Sequence, residues 1–215
     1  FGAVVVSAPQ DCDLLQAANW VMTNPVDLEE SVSSCELSGM PDPSWLEGNV
    51  VVDPQGGLWD VLRVNSTPRV DLAARLALSA DGTTLAAPAE DLFFPFPGGM
   101  TKFVIRRHEP TGLYVSLVNN NTVPDRPRQR NILSLSISPD LWHWQVAETL
   151  IIDDTLDGEE SIAQVGFQYV DLLFDGDDLL YLVRRAYRGA HNFHDSNAIT
   201  FHRLSNIGDL LLRYA

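Results

Sequence analysis

Apolar and polar positions along the chain alternate in short stretches and seldom hold a helical period, a pattern that predicts short β-strands joined by turns. The pattern also repeats. Three segments run strand, tight acidic or glycine turn, strand. The first runs from Asn49-Val50-Val51-Val52 through Pro54-Gln55-Gly56-Gly57 to Leu62. The second runs from Lys102-Phe103-Val104-Ile105 through Glu109-Pro110-Thr111-Gly112 to Leu117, and the third from Tyr169-Val170-Asp171-Leu172 through Asp175-Gly176-Asp177-Asp178 to Val183. Each reads as a β-hairpin. A polar, arginine-bearing loop and a third strand ending in serine follow each hairpin: Arg75 to Ser79, Asn131 to Ser138, and Ile199 to Ser205. In the middle unit a fourth strand runs from Trp144 to Ile152. A four-stranded antiparallel unit thus recurs roughly every 60 residues, longer than the ~40–50 of compact propeller repeats because the connecting loops are long.

This order predicts an all-β fold, a β-propeller of four-stranded antiparallel blades over residues 46–99, 100–164 and 165–215. A half blade over residues 1–45 precedes them, in which Ala3 to Ala8 matches a third strand and Trp20 to Thr23 a fourth. About three and a half blades leave a six- or seven-bladed ring incomplete, so an N-terminal part in the same or a separate chain is expected to close it. A β-sandwich would explain the strands but not their repeated order.

The two Ser-x-Asp segments resemble the Asp-box turn that joins third and fourth strands in sialidase-type propellers: Ser138-Pro139-Asp140-Leu141-Trp142-His143-Trp144 and, more faintly, Ser79-Ala80-Asp81-Gly82. Three further segments extend the resemblance to secreted microbial sialidase-like propellers. They are Trp45-Leu46-Glu47-Gly48-Asn49, Gly166-Phe167-Gln168-Tyr169-Val170-Asp171, and the run from His191 to Arg203. The resemblance implies a carbohydrate substrate and places an early arginine and the acid aspartate of the sialidase set in the N-terminal half. It does not by itself assign an arginine triad or a tyrosine–glutamate nucleophile pair to this sequence. Similar propellers also serve lyases of uronic acid chains.

Composition narrows the partners. A formal net charge of −15 repels nucleic acid and anionic lipid, and no run approaches the ~18 apolar residues of a membrane helix. Thirteen of the fourteen basic residues are arginine, Lys102 being the exception, a bias that suits bidentate recognition of carboxylates. Cys12 and Cys35 are compatible with a disulfide. Asn65-Ser66-Thr67 and Asn120-Asn121-Thr122 are glycosylation acceptor patterns, and together these features suit a secreted protein.

In a propeller the first strands line a central channel, and the loops between second and third strands share one face with the entry to it. That places Glu47, Asn49, Gln168, Tyr169 and Asp171 near Arg128, Arg130, Asn131, Arg184, Arg185, Tyr187, His191, His194, Asp195 and Asn197. Glu47, Tyr169, Asp171, His191, His194 and Asp195 carry the chemistry of general acid–base or nucleophilic catalysis. The four arginines, with Asn49, Asn131, Gln168, Tyr187 and Asn197, are candidates for binding substrate. No cofactor is required, although Asp175, Asp177 and Asp178 have a Ca²⁺-like composition. The expected activity is a sialidase-like exo-glycosidase acting on a terminal acidic sugar. The alternatives are a polysaccharide lyase, with histidine or tyrosine abstracting a proton beside a uronate, and a non-catalytic glycan-binding propeller.

Overall fold

A computed structural model describes residues 2–32 and 37–215. Two short ribbons open the chain, β1 (Gly2–Ala3) pairing with β4 (Val26–Asp27) and β2 (Val6–Ser7) with β3 (Val21–Met22). Three antiparallel sheets follow in chain order. The first holds β5 (Ser44–Val52), β6 (Leu58–Asn65) and β7 (Leu72–Leu78). Its fourth position is split between β8 (Leu85–Ala86) and β9 (Phe93–Pro95), both along β7. The second is a four-stranded meander of β10 (Ile105–Arg107), β11 (Tyr114–Val118), β12 (Ile132–Ser138) and β13 (Gln145–Ile152). The third holds β14 (Gly166–Asp175), β15 (Asp178–Ala186) and β16 (Ala198–Leu204).

The sheets stack face to face, and side-chain alternation explains how. In β6, Leu62 packs with Ala3, Val5 and Leu76 toward the N-terminal ribbons, while its neighbour Val61 packs with Phe103, Ile105 and Tyr114 toward the second sheet. Leu117, Leu133 and Leu135 of the second sheet meet Phe167, Leu172 and Val183 of the third. Strands covered on both faces read as near-continuous apolar runs, which is why β11 and β12 are buried throughout. Consecutive antiparallel meanders stacked face to face in this way are the arrangement of propeller blades.

The sequence placed the start of the middle hairpin three residues early. Before Ile105 the backbone bonds sideways instead of into its own ladder: the Asn49 amide donates to the Phe103 carbonyl (3.2 Å) and accepts from the Ile105 N–H (3.3 Å). Among the described residues the third sheet has three strands, not four. After β16 the chain turns at Asn206 (φ 56°) into a short helix, Ile207–Leu211, whose Ile207 and Leu211 are buried against Leu172 and Leu179. Where one strand was expected from Ala3 to Ala8, Gly2–Ala3 pairs with Val26–Asp27 and Val6–Ser7 with Val21–Met22. Cys35 lies outside the described residues, so the proposed disulfide does too. The Asn65 amide donates to the Asp42 carbonyl (2.7 Å). No helix among the described residues is long and apolar enough to cross a membrane.

Candidate active site

Two β-bulges at matching places in the first and third sheets build the site. In β5 the register steps from Trp45 opposite Val64 to Gly48 opposite Leu62, so Leu46 and Glu47 share a single partner, Arg63. In β14 it steps from Gln168 opposite Arg184 to Asp171 opposite Leu182, and Tyr169 and Val170 share Val183. A bulge bends its strand and re-aims a side chain out of the ladder. At Tyr169 the backbone is left-handed, φ 48°, a strained conformation for a bulky residue that costs about 1–3 kcal/mol and concentrates at functional sites.

The two re-aimed side chains meet across the sheets. The Tyr169 hydroxyl donates to Glu47 Oε1 (3.0 Å), and Arg63 Nη1 donates to Glu47 Oε2 (3.0 Å). Arg63 is fixed in turn by donating from Nε to the Met100 carbonyl (2.9 Å). Burial pushes the Glu47 carboxyl up, but its own backbone N–H, the Arg63 charge and the Tyr169 hydroxyl outweigh that and hold it below the usual carboxylate range. Glu47 is therefore an anion that accepts the hydrogen bonds of Tyr169 and Arg63.

Next to this pair lies Arg130, only 7% exposed and in salt-bridge contact with no carboxylate among the described residues. Its Nη1 donates to Gln168 Oε1, its Nε has no partner among the described residues, and its guanidinium lies 5.3 Å from the centre of the Phe193 ring. Burial, reinforced by the charges of Arg63 and Arg184, pulls it down to about 10, so it remains a cation at neutral pH. A buried, uncompensated charge is expensive unless something pairs with it. Arg63, Arg128, Arg130, Tyr169, Phe193 and His194 line one open pocket of about 420 Å³ with Asn65, Met100 and Thr101, and Asp42 is the carboxylate in its lining. Burial also lowers the Lys102 ammonium, partly countered by the carboxylates of Glu47 and Asp171. A chain of net charge −15 thus concentrates cations at one site.

Of the residues named from sequence, the structure brings Glu47, Tyr169, Arg128, Arg130, Gln168 and His194 to this site. Arg184 backs it, with its guanidinium 4.3 Å from the Tyr169 ring centre and Nη2 donating to the His194 carbonyl (3.0 Å). The others serve elsewhere. The Asn49 amide straps two sheets together, that of Asn131 donates to Ser161 Oγ (2.7 Å), and that of Asn197 clamps the backbone of Tyr187. Arg185 stacks on Tyr187 (4.2 Å), and Asp171 pairs with Arg106 (3.4 Å) in an exposed position. His191 and Asn192 bond the Asp195 carboxylate in an exposed, self-capping loop, so His191 and Asp195 are not drawn into the pocket. In the Ca²⁺-like turn, Asp178 is engaged by Arg203 and by the Asn206 N–H, and among the described residues no three metal-ligating side chains converge. The sequence reading missed Arg63 and Phe193. The signal for Arg63 was a charge interrupting the apolar run Val61-Leu62-Arg63-Val64.

No protein-family model matches the chain, and no curated protein matches it. Solved structures do. One is a GH43 β-1,3-galactosidase solved with galactodeoxynojirimycin, at a TM-score of 0.41 and 15% identity over 76% of this chain and 42% of that one. Another is an N-acetylgalactosamine deacetylase from F. plautii in complex with blood group B trisaccharide, at 0.48 and 12% over 84% and 55%. A second GH43 β-1,3-galactosidase gives 0.46 and 12% over 75% and 31%. The chain therefore spans between 31% and 55% of the length of these structures.

Proposed function

We propose that this chain carries the nucleophile and much of the anion-binding wall of a sialidase-like exo-glycosidase that removes a terminal acidic sugar. The observation that carries the reading is the hydrogen bond from the strained Tyr169 hydroxyl to the ionised Glu47. A neutral phenol is a weak nucleophile, and a carboxylate in hydrogen-bond contact is the base that activates it. Tyrosine nucleophiles are an established variant among glycosidases that act through a covalent intermediate.

In this scheme Arg130, Arg63 and Arg128 hold the substrate carboxylate, which supplies the counter-charge that buried Arg130 lacks. Glu47 takes the Tyr169 proton as the phenolic oxygen attacks the anomeric carbon. The bond to the leaving oxygen breaks as that oxygen is protonated, and His194 is the imidazole in the pocket that can deliver the proton. Water then attacks the glycosyl–tyrosine bond, giving its proton to the group that protonated the leaving oxygen. The Tyr169 oxygen leaves with the proton stored on Glu47, and the free sugar departs.

The test is release of the acidic sugar from a panel of terminal sialosides and uronosides. The proposal expects a hydrolysis product without ultraviolet absorbance and its loss in Tyr169→Phe. An unsaturated, absorbing uronate product, or undiminished activity in Tyr169→Phe, would sink it.

A further inference from the structure

A second pocket, of about 350 Å³, adjoins the first and shares Pro127, Arg128 and Phe193 with it. Phe193 lines both, at their junction. Its N–H donates to the Ala163 carbonyl (2.9 Å), its carbonyl accepts from Gln168, and its ring supports Arg130, so it is held from three sides.

Several of the polar groups around the second pocket are engaged by neighbours. Arg126 pairs with Glu159 (2.8 Å). Buried Gln129 accepts from the Thr122 and Val123 N–H groups (2.8 and 3.1 Å) and donates to Asn131 (2.9 Å). What remains for a ligand is the apolar surface of Pro127, Ile162, Ala163 and Phe193. The two pockets therefore differ in character: the first gathers Arg63, Arg128 and Arg130, while the second, apart from the shared Arg128 and the Asp125 and Thr67 side chains, presents an apolar wall.

We propose that this second pocket is an aglycone subsite for an apolar group, so that the preferred substrate is amphiphilic, an acidic sugar carried on an alkyl or aryl chain. The inference rests on the glycosidase reading for the sugar, while the apolar site stands on its own lining. Each buried methylene favours binding severalfold, so two or more amount to at least about tenfold.

The experiment measures binding to Tyr169→Phe, which removes turnover, using the methyl and octyl α-glycosides of N-acetylneuraminic acid and octyl glucoside, all below micelle-forming concentrations. The octyl sialoside should bind at least about tenfold more tightly than the methyl one. Ala163→Trp, which fills the pocket from an exposed helix position, and Ile162→Ser should each erase that difference and leave methyl sialoside binding unchanged. Equal binding of the two sialosides, or an octyl advantage that survives both substitutions, overturns the subsite. Octyl glucoside binding as tightly as octyl sialoside, and losing affinity in Ala163→Trp, would support the subsite while removing the acidic-sugar reading.

Discussion

Glu47 and Tyr169 lie 122 residues apart in sequence yet share a proton. If that proton is the one lost on attack, Tyr169→Phe and Glu47→Gln should each lower kcat by about 10²-fold or more, with unchanged melting and circular dichroism. Glu47 also sets a pH limit. Its folded carboxyl lies below its ordinary value of 4.5, so the base is present above that value and lost as pH falls through the lower folded one. The acid limb of kcat/KM should accordingly lie below pH 4.5, and should disappear in Glu47→Gln if Glu47 is its source. Both residues were legible in the sequence as candidates by their chemistry, but not as a pair, because their meeting depends on two bulges that no periodicity reveals. The acidic histidine loop was the densest polar cluster on paper. Folding spends the Asp195 carboxylate on its own loop and leaves only His194 at the pocket.

At the scale of the strand, the bulge in β5 is held by a close fit. Gly48 leaves room for the Asp60 carboxylate, and a Cβ there would stand 2.1 Å from Asp60 Oδ1. Asp60 is 4% exposed, and burial raises its carboxyl from 3.8 to about 6. A carboxyl raised in the folded state favours folding less as pH rises between those two values, by about 3 kcal/mol at neutral pH at most. Asp60→Asn should therefore stabilise the fold at pH 7 and not at pH 4, as read by urea midpoints; an equal shift at both would show that charge is not the cause. Gln168 plays the same supporting part in β14, holding both Arg130 and the Phe193 carbonyl. Gln168→Ala should raise KM for acidic substrates more than it lowers kcat, whereas a merely structural role would depress both through the fraction folded. The strands themselves were readable, since hairpin turns and apolar runs are local. Cross-sheet straps such as Asn49 were not, because their partners lie more than 50 residues away.

For the whole molecule, the repeat of hairpin, arginine loop and third strand was enough to read the stacked antiparallel sheets, and it placed the pocket on the face where first strands begin. It could not give the number of strands in the last sheet. Each inner sheet is covered on both sides, but the outer face of the third sheet exposes Leu173, Leu182, Ile199 and Phe201, and Val4, Val6, Val50 and Val52 are exposed toward the other end. Such surface drives association in water. Sedimentation of the chain as given should show self-association that Ile199→Lys with Phe201→Lys reduces, and a strict 23.8 kDa monomer would contradict the expectation. The central claim is nevertheless chemical, that Tyr169 becomes bonded to sugar. Its most direct test is mass spectrometry after incubation with a fluorinated acidic glycosyl fluoride, whose intermediate forms and decays slowly. The account predicts one added sugar on the peptide bearing Tyr169 and none in Tyr169→Phe; turnover of the probe with the sugar attached to Glu47, or to no residue of this site, would contradict it.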